Sequence, residues 1–234
     1  MIPLEPDGFS LEWVSALPLF HDLLPRELET ARALLRRQKL PINAELVAPD
    51  AGGEALYFLA RGALKVRAQS GPNEIIVEMR GPGSLSGALS VFDGGALLHV
   101  CAQMPCELAV LSRHDFWNTV WPMGAVPFNV AHLLAERVRR RDAQILEIGT
   151  LDVPSRLARQ LARLAHEHGQ LQEDGSIELP FPLKQTELAQ MVGTSRVHVN
   201  QTLARWNGGE LVSFQRGKIV INDPQALGKL AEAP

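Results

Sequence analysis

Residues Thr186–Trp206, TELAQMVGTSRVHVNQTLARW, hold two helical faces separated by a single glycine. Leu188, Ala189 and Val192 form one apolar face, Gly193 permits a sharp turn, and Val199, Leu203 and Trp206 form the next. Ala189 is small enough to let two helices cross closely, and glycine takes the positive φ that a tight helix–helix turn often needs. The pattern is a helix-turn-helix. Its second helix turns Ser195, Arg196, Val197, His198, Gln201 and Arg205 away from the apolar side, and the N-terminal residues of such a helix reach base edges in the DNA major groove. The alternative is a solvated polar face on a small helical domain. The next segment, LVSFQRGKIVIN, reads as a β-hairpin with Arg216, Gly217 and Lys218 at its tip. A hairpin at that place completes a winged helix and favours DNA as the partner.

Upstream, GTLDVP (Gly149–Pro154) breaks a helical pattern: Gly149 suits a helix C-terminus, Asp152 can cap the next helix and Pro154 fits its first turn. After this hinge the chain reads helix (Ser155–His168), hairpin (GQLQEDGSIELP), helix, turn, helix, hairpin. Before it, from about Pro127 to Ile148, Ala131, Leu134, Val138, Arg141, Ile145 and Ile148 fall at the alternating steps of a coiled-coil seam. Glu136, Arg139, Arg140 and Glu147 give the seam a wet back. Such a stripe can pack on its own domain, but a helix that connects two separate modules is better placed to pair with a second copy, as a parallel dimer. From Leu40 to Leu111, short β-rich runs (ALYFLARGALKVRAQ, EIIVEM, LLHVCAQ, CELAVLS) alternate with Gly, Pro and Asn turn signals. Antiparallel strands rolled into a sandwich or small barrel are expected.

Composition limits the function classes. The 234 residues carry 23 Lys+Arg against 26 Asp+Glu, and 46% are hydrophobic, enough for two modest cored domains. From Thr150 onward Lys+Arg and Asp+Glu balance at 9 each, so any electrostatic footprint for nucleic acid is local. No apolar run is long enough to span a bilayer, and MIPLEPDGFS lacks the basic and apolar regions of a secretory signal. A cytoplasmic location without membrane contact is expected. Cys101 and Cys106 read as reduced core thiols rather than a disulfide framework or metal site. There is no Gly-rich phosphate loop, no GxSxG and no metal-ligand spacing, and His166 and His168 around Glu167 read as exposed helix surface. An enzyme is not expected.

Several ordered stretches resemble the Crp/Fnr superfamily of bacterial transcription regulators. PLFHDLLPRELE (Pro18–Glu29) is similar to the family's entry helices, ALYFLARGALKV to its central strands and GPGSLSG to the approach to its effector cassette. TLDVPSRLARQLARLA is similar to its hinge and first DNA-binding-domain helix, and LKQTELAQMVGTSRVHVNQTL to its helix-turn-helix. The resemblance covers nearly the whole chain. It implies an α+β protein with a cyclic-nucleotide-binding-like β-roll (jelly roll) and entry helices over 1–126, a long dimerisation helix over 127–150, and a winged helix-turn-helix domain over 151–234. It also implies a homodimer on an inverted-repeat operator of double-stranded DNA, with RNA polymerase as a further partner and Gln185 and Thr186 beside the recognition helix as additional DNA contacts. Where well-known relatives carry a Glu and a second Arg in that helix, this chain has Val197 and Gln201. Half-sites other than the family's usual TGTGA or TTGAT are expected.

The effector cassette departs from the cyclic-nucleotide-binding pattern. Next to Gly87, the position of the ribose-binding glutamate is Ala88, and the phosphate-binding Arg-Ser pair falls on Ala96 and Leu97. No lysine or arginine lies between Arg80 and Arg113. Losing those charged hydrogen bonds removes roughly 3 to 6 kcal/mol, about two to four decades of affinity. Cyclic AMP is therefore not the expected effector, and the chain is expected either to act without one or to bind another small ligand. A haem sensor with His99 or Cys101 on the iron is a further alternative, and a regulatory module that does not bind DNA is another; no cofactor is assigned. Arg141 lies in the seam at the level where relatives place residues that reach the effector, and a buried arginine there demands an anion. Asp142, an acid of a second copy or an acidic ligand are the candidates.

Overall fold

The computed structural model describes residues 8–46, 54–70, 73–87, 91–92, 98–208, 210–215 and 217–232. The chain divides into two compact units, Met1–Lys65 with Arg80–Arg140, and Val66–Met79 with Arg141–Pro234. It combines a β-rich N-terminal part, a long helix and a C-terminal helix-turn-helix with a small sheet. Among the described residues, no helix is long and apolar enough to cross a membrane.

In the first unit, α1 (Leu11–Ser15) is capped by the Ser10 hydroxyl, which accepts from the Trp13 N–H at 3.2 Å. Helix α2 (Pro25–Leu34) starts on a proline, and the Glu27 carboxylate accepts from the Leu24 N–H at 2.9 Å. One antiparallel sheet has the order β1-β7-β2-β5, from β1 (Arg36–Leu40), β7 (Cys106–Ser112), β2 (Ala55–Arg61) and β5 (Leu85–Ser86). The other has the order β4-β3-β6, from β4 (Asn73–Arg80), β3 (Leu64–Ser70) and β6 (Leu98–Ala102). Strand β2 explains why the sequence here is almost continuously apolar. Leu56, Phe58 and Ala60 face a core with Phe9, Trp13, Phe20 and Phe116, while Ala55, Tyr57 and Leu59 face a second core with Leu64, Leu108 and Val110. A strand buried on both faces loses the polar alternation of a half-exposed one.

Strand β1 lies upstream of the expected β region because RRQKL is mostly exposed and carries no apolar alternation. After β7 comes α3 (Arg113–Asp115), which runs into a π turn over Phe116–Val120. Phe116, Trp117 and Trp121 pack there at 5.0 to 5.8 Å between ring centroids, with Phe92 edge-on to all three.

The long helix α4 spans Val126–Thr150. Val126 and Val130 are buried in the core of the first unit and Leu133 packs against it, whereas Leu134, Val138, Ile145 and Ile148 are 38, 58, 69 and 51% exposed. An apolar stripe on one helix face is thus uncovered in the single chain. Gly149 lies inside this helix rather than ending it, and the break falls at Leu151–Asp152. Asp152 caps α5 (Val153–His168) by accepting from the Ser155 N–H at 2.8 Å, and the Ser155 hydroxyl together with this N–H holds its carboxyl below the usual range.

In the second unit, Leu157, Leu161, Leu164 and His168 form the buried face of α5. The expectation of an exposed His168 is therefore corrected: it continues the helical spacing of the leucines, while His166 is exposed. Glu147 is likewise buried rather than part of a wet back, paired with Arg163 at 3.1 Å and Arg159 at 3.9 Å. The small sheet has the order β10-β11-β9-β8, from β10 (Val212–Gln215), β11 (Lys218–Ile221), β9 (Ile177–Pro182) and β8 (Gln170–Leu171). A last helix, α8 (Pro224–Glu232), was not anticipated, although the Asp223 carboxylate before Pro224 is an ordinary start signal and accepts from the Ala226 N–H at 2.9 Å.

Candidate nucleic-acid interface

Helix α6 (Gln185–Val192) begins with the Glu187 carboxylate accepting from the Lys184 N–H at 2.8 Å. Leu188, Ala189, Met191 and Val192 are buried, and the helix ends at Gly193, whose φ of 65° and ψ of 51° lie in the left-handed region. An L-residue is strained there. The Thr194 N–H returns to the Ala189 carbonyl at 3.0 Å, closing the turn. Ser195 then caps α7 (Arg196–Gly208), its hydroxyl accepting from the His198 N–H at 3.3 Å. Val199, Thr202 and Leu203 are the buried face of α7, and Trp206 is half-buried.

Ser195, Arg196, Val197, His198, Gln201 and Arg205 are all exposed. Val197 is 62% exposed, an apolar side chain on a polar helix face. Thr194 Oγ1 lies 3.3 Å from His198 Nδ1. Thr186 is exposed at the start of α6, and the Gln185 side-chain amide donates to Asn200 Oδ1 at 3.0 Å, bracing the two helices. Sequence reasoning gave Asn200 no structural role, because a brace 15 residues away has no local signature.

The wing is the β10–β11 hairpin, with Gly217 at a φ of 80° in its turn. Arg216 lies outside the described residues. Lys218 is not a free cation at the tip. It pairs with Glu178 of β9 at 2.6 Å.

Of the effector-cassette positions, Ala88, Ala96 and Leu97 lie outside the described residues. Gly87 has a φ of 85°, and a Cβ there would come within 2.1 Å of the Ala55 carbonyl oxygen, so only glycine fits. Asp142 is exposed. Arg141 finds its anion within its own chain, pairing with Glu78 at 3.2 Å and donating to the Val77 carbonyl at 3.0 Å. His99 is exposed on β6, whereas Cys101 on the same strand is buried. Both cysteines are free, and burial pushes the Cys106 thiol up. Tyr57 is buried with no partner for its hydroxyl among the described residues, and burial pushes its pKa up to about 12.

His168 makes the second unit sensitive to acid. Its ring packs edge-on against Phe181 at 5.4 Å, and Glu167 lies 3.7 Å from Nε2. Burial pushes its pKa down, opposed by the nearby Met79 backbone. With the folded pKa depressed, the unfolded chain binds the proton more readily. The stability conferred by the neutral ring is thus complete above the unfolded value of about 6.5 and is lost as pH falls below it toward the folded value. One titrating proton limits the slope to about 1.4 kcal/mol per pH unit. As pH falls from 7.5 to 5.5, hydrogen exchange of the α5 amides should slow less than intrinsic chemistry requires, leaving an excess rate that reports the lost stability. The His168→Leu protein should lose that excess; an equal excess in both would place the acid sensitivity elsewhere.

Two domain families match the chain, a cyclic nucleotide-binding domain over residues 37–120 and a Crp-like helix-turn-helix domain over residues 155–230. The chain is 28% identical over 216 residues to a CRP-like cAMP-activated global transcriptional regulator of Mycobacterium tuberculosis, covering 91% of this chain and 96% of that protein. It is 29% identical over 216 residues to the cyclic AMP receptor protein of Thermus thermophilus, covering 92% and 96%. The fold is similar to that of FixK2 from Bradyrhizobium japonicum, with a TM-score of 0.71 at 16% identity over 86% of this chain and 98% of that one. A CRP/FNR-family transcriptional regulator from Thermus thermophilus gives 0.69 at 19% identity over 85% and 99%.

Proposed function

The chain belongs to the Crp/Fnr superfamily of transcription regulators, and from that premise we propose that it acts as a homodimer on an inverted-repeat operator, independently of cyclic nucleotides. The observation that carries this reading is the exposed N-terminal face of α7, where Arg196, Val197, His198 and Gln201 stand clear of the core behind Val199 and Leu203. A groove-reading helix needs a rigid back and an uncovered front. The uncovered stripe on α4 supports the dimer, because two such faces can bury each other. As a DNA-bound regulator rather than an enzyme, the protein works in the cytoplasm with RNA polymerase as its downstream partner.

Both curated relatives named above are described by cyclic AMP, and here the chain departs from them. Ala88, Ala96 and Leu97 offer neither a carboxylate for a ribose hydroxyl nor a guanidinium for a phosphate. Arg141 is engaged by Glu78. The test is selection of bound sequences from a random DNA pool, followed by titration of the selected site with and without cyclic AMP. An inverted repeat whose affinity cyclic AMP leaves unchanged is the expected result, because a ligand shifts a conformational equilibrium only by its differential binding energy. Enrichment of no sequence would remove the DNA reading, and a tighter complex with cyclic AMP would remove the effector independence.

A further inference from the structure

The second unit includes chain from the middle of the β-rich region: Val66–Met79, most of the β3–β4 hairpin, groups with Arg141–Pro234. Arg141 ties that hairpin to α4, donating from Nη1 to the Val77 carbonyl at 3.0 Å and from Nη2 to Glu78 Oε2 at 3.2 Å. The same Nη1 donates to Gln144 Oε1 at 3.0 Å. With its oxygen held by the guanidinium, the Gln144 amide can only turn its nitrogen the other way. Nε2 there reaches the carbonyl of Met191, at a long 3.5 Å.

Met191 sits in the last turn of α6, where carbonyls lack partners within the helix. Gly193 and the turn into α7 follow at once. From α5, Gln160 Nε2 contacts the Met191 sulfur at 3.7 Å, while its oxygen accepts from Arg163, which pairs with Glu147. Ile148 of α4 completes the enclosure, lying 3.8 Å from where a Cβ on Gly193 would stand. The end of α6 is therefore held by α4 and α5 together, and the hold from α4 depends on which way Gln144 points.

We propose that Arg141 is a positioning residue for DNA binding: by fixing the Gln144 amide it holds the end of α6 and the turn into α7, so that strand β4 and the helix-turn-helix respond together. Arg141 then serves neither a partner-chain acid nor an effector. Displacing β4 would withdraw Val77 and Glu78 from the guanidinium, free the Gln144 amide to flip its oxygen toward the Met191 carbonyl, and loosen the turn that sets the angle of α7.

Hydrogen–deuterium exchange on the full-length protein tests this without DNA. In Arg141→Ala, amides of both Ile76–Met79 and Met191–Ser195 should exchange about fivefold faster or more, the scale of one lost hydrogen bond. Gln144→Glu keeps an acceptor for Arg141 but presents only oxygen to Met191, so it should accelerate Met191–Ser195 and leave Ile76–Met79 unchanged. Acceleration confined to the hairpin in Arg141→Ala, or no change at Met191–Ser195 in Gln144→Glu, would overturn the proposal. Should Arg141→Ala fail to fold, Gln144→Glu against Gln144→Ala decides it, both being expected to loosen the turn alone. The consequence for affinity rests on the DNA-binding reading. Gln144→Glu should bind the selected operator about fivefold more weakly with the same base preferences and salt slope, and failure of that reading would appear separately, as no operator binding by the wild-type protein.

Discussion

Val138→Asp is expected to convert the protein to a monomer in sedimentation equilibrium and to lower operator affinity by about two to four decades. Val138 is 58% exposed in the single chain, between Leu134 and Ile145 at 38 and 69%. Burying a side chain of this kind is worth about 1.5 to 3 kcal/mol, so a face of several such residues repeated on two copies makes a stable contact. In a two-fold interface the substitution appears twice, and each unpaired carboxylate costs several kcal/mol to bury. DNA affinity falls with the dimer because the second half-site is no longer bound at high effective concentration. Arg139→Glu is the control, since Arg139 is exposed and lies outside the seam; it should leave the mass unchanged. If Val138→Asp remains a dimer, α4 is not the interface.

The helix-turn-helix could be read in advance because its determinants are local. Gly193 takes the left-handed conformation its neighbours demanded, and the buried residues of α6 and α7 recur at helical spacing. The spine and the β-rich runs were likewise visible as periodicity and turn signals. What escaped was set by distant contacts. Lys218 looks like a free cation on a hairpin tip until Glu178, 40 residues away, is seen beside it. Arg141 looks like a buried charge awaiting a ligand until β4 supplies Glu78 from 63 residues away. His168 and Glu147 look like surface because both are polar, but their burial follows from the packing of α4 and α5 against neighbours that no local pattern names. Strand β1 fails for the opposite reason. Its exposed residues carry no apolar signal, and its place is set by pairing with β7, Arg36 opposite Val110 through Leu40 opposite Cys106.

Arg196→Ala is expected to weaken operator binding by about 1 to 3 kcal/mol and to relax selection at one guanine in each half-site. Arg196 is the first residue of α7, exposed, with Ser195 and Val197 beside it. At that end of a groove-reading helix a guanidinium can engage guanine O6 and N7 together, whereas Gln201 suits adenine and Val197 contacts only a thymine methyl or a pyrimidine edge. The half-site centres should lie roughly one helical turn, about 34 Å, apart. Lys218→Ala provides the contrast. A wing lysine meets phosphate, which carries no sequence information, so its loss should weaken all sequences alike and flatten the salt dependence. The flattening should be less than a full charge, because Lys218 is already paired with Glu178 at 2.6 Å and must leave it to reach a phosphate. Selection from a random pool for wild type and both variants separates the two roles. A motif left intact by Arg196→Ala would mean that α7 does not read bases through its first turn, and its exposed polar face would then have to be explained by phosphate contacts alone.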